Sequence, residues 1–209
     1  FINKLFTQNL ESSKEKFKDV KIKEEPCILP YRDAFTKLGI NPNKYMCSIE
    51  SLMTRISKGK DIPSINPIVD LGNALSLKYE LPLGVHDIDN FIDGNIEIRE
   101  ATKDDIFIPF GSTEIEHPEE GEIIYASNTE VKTRRWTWRQ GENSKITEKS
   151  TNLFIPIDGF TENLDKIKEL QNELIDILKN ELNLEVAFGI VDKNNPEFIK
   201  NGVQQTVEN

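Results

Sequence analysis

The chain holds two histidines, and one of them, His86, precedes an aspartate in the stretch LPLGVHDID, Leu81 to Asp89. An imidazole titrates near neutrality and is the side chain most often used to move a proton. A carboxylate close to it fixes which ring nitrogen carries that proton. His86 and Asp87 follow a break at Pro82 and Gly84, and loops after rigid elements are where working side chains gather. Adjacent residues rarely bond side chain to side chain, so His86 and Asp87 are separate candidates rather than a dyad. A hydrogen-bonded structural histidine is the simpler account of His86 alone. The other histidine, His117, lies in EIEHPEEGE among glutamates and reads as solvated.

Upstream, Asn73 interrupts an apolar run, NPIVDLGNALSLKY. Seven residues separate it from Asn66, so the two share roughly one helix face, with Asp70 on the same side. An asparagine inside a helix costs some propensity relative to alanine and is favoured where its amide finds a partner. An exposed or internally satisfied Asn73 is the alternative. The densest chemistry is KTRRWTWRQ, Lys132 to Gln140. Read as a strand, it places Arg135, Thr137 and Arg139 on one face and Arg134, Trp136, Trp138 and Gln140 on the other. Interleaved Arg and Trp suit base stacking and phosphate pairing, and equally suit indoles covered by guanidinium stems.

The elements that must position these groups are legible in outline. Residues 7–18 and 30–38 read as helices around a strand at Val20–Lys23. Ile49, Leu52, Met53 and Ile56 have helical spacing. Asn66 followed by Pro67 is an N-cap and first-turn pair for a helix to about Tyr79. Asp93-Gly94 before Ile96 and Ile98 predicts a hairpin, and Asn128-Thr129 predicts a second one between GEIIYAS and EVKTRRWTWRQ. STNLFIPIDGF reads as a strand ending at Gly159. Leu164, Ile167, Leu170, Leu174, Ile177 and Leu178 form the apolar stripe of a helix over 162–182, and EVAFGIV as a last buried strand. The expected fold is α+β: one compact domain over 1–209 with a β-rich centre flanked by helices. Its motif-bearing core spans about 30–160, its C-terminal helix and strand 162–191, and its polar tail 192–209.

Composition narrows the function classes. The 209 residues carry 36 acidic against 26 basic side chains, a formal charge of −10, which argues against a non-specific coat on DNA. Cys27 and Cys47 lack metal-ligand spacing, so no disulfide scaffold or zinc site is implied. No apolar run approaches a membrane span, and no Walker loop, dinucleotide fingerprint or nucleophile elbow is present. The expectation is a cytoplasmic protein with no metal and no organic cofactor.

The run SIESLMTRISKGKDIPSINPIVDLGNALSLKYELPLGVHDID, with GNIEIREA, GEIIYASNTEVKTRRWTWRQ and STNLFIPIDGF after it, resembles a known family. It is similar to the B3/B4 domain of the bacterial phenylalanyl-tRNA synthetase β subunit and its freestanding relatives, over most of 30–160. In the synthetase that domain hydrolyses tRNA carrying the wrong amino acid, chiefly tyrosine. The resemblance implies an aminoacylated tRNA 3′ end as partner, with Asn73 on the pocket asparagine and Pro82-Leu83 before the pocket histidine. Gly84 stands at that histidine position, with His86 two residues on, and Gly72 replaces the usual threonine. The acid that senses a tyrosine hydroxyl falls at about Pro156, so tyrosine is not the expected substrate. On this basis His86, Asn73 and Asp87 are candidate catalytic residues. Gly72, Gly84, Arg135, Arg139, Gln140 and Trp138 are candidate substrate-binding residues, and Trp136 shares with Trp138 the candidacy for stacking a terminal adenine. A non-catalytic module for a tRNA end, amino acid or metabolite is the alternative, and an adaptor using an apolar patch a third.

Overall fold

The computed structural model describes residues 1–200, apart from the Ile92 side chain. The C-terminal end of the expected polar tail, from 201 on, lies outside the described residues. The chain forms two units, residues 1–170 and the segment from Gln171 onward.

The first unit opens with four helices. α1 (Ile2–Phe17) buries Ile2, Phe6, Leu10, Ser13 and Phe17, a stripe at three- and four-residue spacing. It begins five residues before the expected start. Positive φ at Asp19 (58°) ends the run after α1, and Ile22–Glu24 is a single 3₁₀ turn where a strand was expected. Alternation at Val20 and Ile22 mimics a strand, but Ile22 alone is buried and no neighbouring strand pairs with it among the described residues. α2 (Leu29–Lys37), α3 (Ser48–Ser57) and α4 (Pro67–Tyr79) follow. The Asn66 side chain accepts from Val69 N at 3.0 Å, and Pro67 occupies the first turn, so α4 starts and ends as its sequence predicts. Phe17, Ile28, Tyr31, Phe35, Met53, Ile56, Ala74 and Leu77 make one core among these helices. Each large side chain buried there contributes roughly 1.5–3 kcal/mol.

Among the described residues the β part comprises two antiparallel sheets. β2 (Glu97–Glu100), β3 (Ile123–Ser127), β4 (Glu130–Arg134) and β5 (Arg139–Gln140) form one, in that order. Asn128, at φ 54°, turns the predicted β3–β4 hairpin. The Asp93-Gly94 turn is also present, but β2 pairs with β3 rather than folding back on the preceding residues. Those are already engaged, since Ile88 N donates to Asn152 O at 3.0 Å. The second sheet pairs β1 (His86–Asp87) with β6 (Leu153–Phe154).

The basic-aromatic stretch is not one strand. β4 ends at Arg134, and Arg135 (φ 47°) and Trp136 (φ 59°) take left-handed conformations before β5 returns. The predicted division of Arg and Trp between two faces therefore does not hold. Left-handed backbone costs a side-chain-bearing residue about 1–2 kcal/mol. Here Arg135 N is held by Glu122 Oε1 at 3.0 Å and Trp136 N by Ile123 O at 2.7 Å.

α5 (Leu164–Asp176) carries the predicted stripe and runs into a π-helical turn at Ile177–Glu181. In the second unit EVAFGIV forms no strand, and Phe188 and Val191 are about half exposed, which corrects the expectation of a buried one. Among the described residues no strand offers it a ladder, and apolar composition alone does not supply one. The fold class is α+β, and no helix among the described residues is long and apolar enough to cross a membrane.

Candidate functional site

The β1–β6 ladder extends beyond its short strands. Gly84 N donates to Pro156 O at 3.0 Å, Asp158 N to Pro82 O at 3.2 Å, and Leu83 bridges Ile157 in the same register. Side chains of paired residues share a face in such a ladder, and alternate residues repeat it. Gly84, His86, Phe154, Pro156 and Asp158 thus fall on one face, and Leu83, Val85, Asp87 and Ile157 on the other.

His86 is buried, and its Nδ1 lies 2.8 Å from Ser144 Oγ. Gln140 Nε2 donates to Ser144 O and Val85 O, both at 3.0 Å, and to Ser144 Oγ at 3.3 Å. Gln140 is thus committed to fixing the histidine's partner. Burial, reinforced by the Lys132 charge, pushes the imidazole down to about 4, so His86 is neutral at physiological pH. Its Nε2 meets no donor or acceptor among the described residues and lies 3.1 Å from where a Cβ on Gly84 would stand. Pro156 Cγ is 3.4 Å from the same point. Gly84, His86 and Pro156 thus pack directly against one another.

At the far end of this face Asp158 receives Tyr125 Oη at 2.5 Å and Trp136 Nε1 at 2.9 Å, both on Oδ1. Tyr31 Oη donates to its backbone oxygen at 2.8 Å. Phe154 bridges the two ends, its ring 6.1 Å from His86 and 6.3 Å from Tyr125. Asp158, Phe154, Trp136 and Phe160 all remain partly exposed, so the group opens to solvent. Even so, burial pushes the Asp158 carboxyl up to about 6, against hydrogen bonds from Tyr125 and Trp136 that favour its charge. Sequence reading missed Asp158. Its one signal was an acid closing the apolar run NLFIPID, where a solvated loop residue was the easier reading.

The other sequence candidates scatter. Asp87 projects away from His86 to the opposite face, where it accepts from Asp89 N at 2.8 Å and from Ser150 Oγ. With Asp89, Glu142, Lys145 and Lys149 it lines an open polar hollow of about 470 Å³. Gly72 lets α4 approach that same opposite face, since a Cβ there would meet Val85 Cγ2 at 2.9 Å and Leu83 Cδ2 at 3.0 Å. Asn73 is half-buried on α4, and its amide forms no hydrogen bond to a described residue. Arg135 is buried against Tyr45 and Trp138, its guanidinium 3.7 and 4.8 Å from their ring centres and 3.7 Å from Glu122 Oε2. Trp138 stands edge-on to Tyr45 at 4.8 Å, and Arg139 is exposed. His86, Gly84 and Gln140 are brought together, while Gly72 and Asp87 belong to the other face.

This paired ladder, with its helix on one side and the hairpin turn on the other, lies within residues 30–174, which match the model of the B3/4 domain. The chain belongs to the B3/4 domain family. Its membership covers both His86 and Asp158, and the β3–β4 hairpin that delivers Tyr125. No curated protein matches this B3/4 chain.

Proposed function

We propose that this B3/4 domain is an aminoacyl-tRNA deacylase acting in trans, on an ester other than that of tyrosine. B3/4 domains are associated with tRNA binding. The observation that carries the reading is the free Nε2 of His86 on a face shared with the Asp158 carboxylate. About 13 Å of strand, four residues at ~3.3 Å each, separates Phe154 from Asp158, enough for an aminoacyl group to lie between the two ends.

The reaction adds water to the ester carbonyl carbon. The bond from that carbon to the ribose oxygen breaks, that oxygen takes a proton, and the free amino acid and uncharged tRNA leave. An activated ester needs a positioned water and a stabilised oxyanion, not a covalent nucleophile. Ser144 Oγ already accepts from Gln140, so its proton is best spent on His86 Nδ1, which leaves the ring N–H on Nε2. A neutral imidazole N–H donates to a carbonyl or a water, and an imidazole with so low a pKa is a poor base. His86 thus orients water or polarises the carbonyl. Arg139, exposed beside Trp138, meets terminal phosphates, whereas Asn73 lies on α4, which packs on the opposite face of the ladder, and takes no part in this reading.

Incubation with a panel of mischarged tRNAs tests this. Wild type is expected to release at least one amino acid, and His86→Ala to slow it at least tenfold. A folded wild type that leaves every ester intact overturns the proposal. Pro156 and Gly84, where the synthetase pattern has an acid and an imidazole, favour a second reading: a module that binds the tRNA end or an amino acid without turnover. Calorimetric binding with no ester loss selects it.

A further inference from the structure

The Asp158 carboxylate is held asymmetrically. Both of its side-chain donors, Tyr125 Oη and Trp136 Nε1, end on Oδ1, whereas Oδ2 meets no donor among the described residues. No Lys, Arg or His nitrogen lies within ion-pair distance of it among those residues either. A carboxylate kept out of bulk water without a cation is costly, and such a group is normally paired. The hydrogen bonds to its backbone from Tyr31 and to Pro82 prevent it from turning away. Trp136 donates its indole N–H to it, and Phe160 stands edge-to-face with Trp136 at 5.6 Å. The indole reaches this position only because Arg135 and Trp136 tolerate left-handed backbone, and strain of this kind persists where the surrounding structure enforces it, often at a ligand site.

A largely buried carboxylate with one oxygen free of donors has the chemistry of an ammonium site: charge pairing and hydrogen bonding at Oδ2. We propose that Asp158 binds the α-ammonium group of the aminoacyl ligand, so that the site takes a free primary amine and rejects an N-acylated one. This inference rests on the deacylase reading for the identity of the ligand, though not for the binding event. His86, at the other end of the same face, is then placed towards the carbonyl end of that ligand. A neutral N-acyl group offers Oδ2 no charge and brings a bulky carbonyl against the rings.

The test uses the full chain labelled with ¹⁵N-tryptophan, which reports Trp136 Nε1–H directly, and titrates it with amino-acid amides and their N-acetyl counterparts. The Trp136 indole signal is expected to move with at least one free amine and to stay in place with its N-acetyl form. In Asp158→Asn, which keeps an acceptor for Tyr125 and Trp136, affinity is expected to fall at least tenfold. Equal binding of amine and N-acetyl probes by wild type overturns the inference without any variant, and so does the absence of any amine-dependent shift. A parallel assay with aminoacyl-tRNA and N-acetyl-aminoacyl-tRNA separates the two proposals. Amine binding without ester loss leaves this inference standing and removes the deacylase. Ester loss from both tRNAs, undiminished in Asp158→Asn, does the reverse.

Discussion

His86 Nε2 occupies the space that a side chain on Gly84 would need: an added Cβ would stand 3.1 Å from it. The histidine and the glycine therefore depend on each other, and the missing Cβ is what allows the imidazole its place beside Pro156. Gly84→Ala is expected to push the ring or the ladder aside and destabilise the fold by about 1–3 kcal/mol, as overpacking does. Urea unfolding measures the loss, and the His86 ring resonances should shift in the folded variant. Unchanged stability with unchanged ring shifts would contradict the close approach.

Gly72→Ala opposes two effects. Alanine gains about 1 kcal/mol in helix propensity over glycine. The new methyl, however, meets the Val85 and Leu83 side chains at 2.9 and 3.0 Å, inside a packed contact between α4 and the ladder. Branched side chains in such a contact give little, so net destabilisation of about 1–2 kcal/mol is expected. A higher melting temperature would show that α4 has room to retreat.

The neutral burial of His86 makes stability depend on acid. Its folded pKa, about 4, lies below the unfolded value of 6.5. The unfolded chain therefore binds the proton more readily between those values. The contribution is complete above pH 6.5 and is lost as pH falls through 4, with a ceiling of about 3 kcal/mol. Unfolding free energies of wild type and His86→Gln across pH 4–7.5 should differ by a slope of that sign. Parallel curves would place the imidazole in water.

Asp158 has the opposite sign. Burial raises its carboxyl from 3.8 to about 6, so the folded state favours the proton, and the stability present below pH 3.8 is lost as pH rises through 6. Asp158→Asn is expected to raise stability by about 1–2 kcal/mol at pH 8, below the full shift because neutral acceptors are weaker. The gain should vanish by pH 4. A stabilising substitution that weakens amine binding is the trade expected of a functional group. Destabilisation at both pH values would mean that the carboxylate is a structural anchor.

Arg134 donates to Glu122 through Nε at 3.0 Å and Nη2 at 2.9 Å, both side chains being nearly inaccessible. Glu122 also caps Arg135 N at the left-handed turn. Glu122→Ala leaves a buried guanidinium with Glu116 alone and is expected to cost about 3–5 kcal/mol. Because the same turn aims Trp136 at Asp158, the Trp136 indole resonance should move too. Thermal melting and the ¹⁵N spectrum check both.

Local rules placed much of this protein. Asn66 and Pro67 announce α4, Asn128 announces the β3–β4 turn, and the spacing of Ile49, Met53 and Ile56 announces α3, because caps, turns and helical periodicity are properties of a few neighbouring residues. The order of these pieces also carried the B3/4 family and the α+β class. Pairing between distant segments is another matter. Whether His86 and Asp87 share a site depends on which strand β1 meets, and once it meets β6 the pleat sends them to opposite faces. Arg135 and Trp136 looked like strand residues until the fold turned them left-handed, and EVAFGIV had the composition of a strand but forms none among the described residues. Asp158 became a site residue only when Tyr125 and Trp136, more than 20 positions earlier, closed over one of its oxygens. Sequence alone determined the main helices, their caps and the hairpin turn, since their causes are local; the tertiary structure decided which segments pair as strands and which side chains meet, since that is set by long-range register and burial.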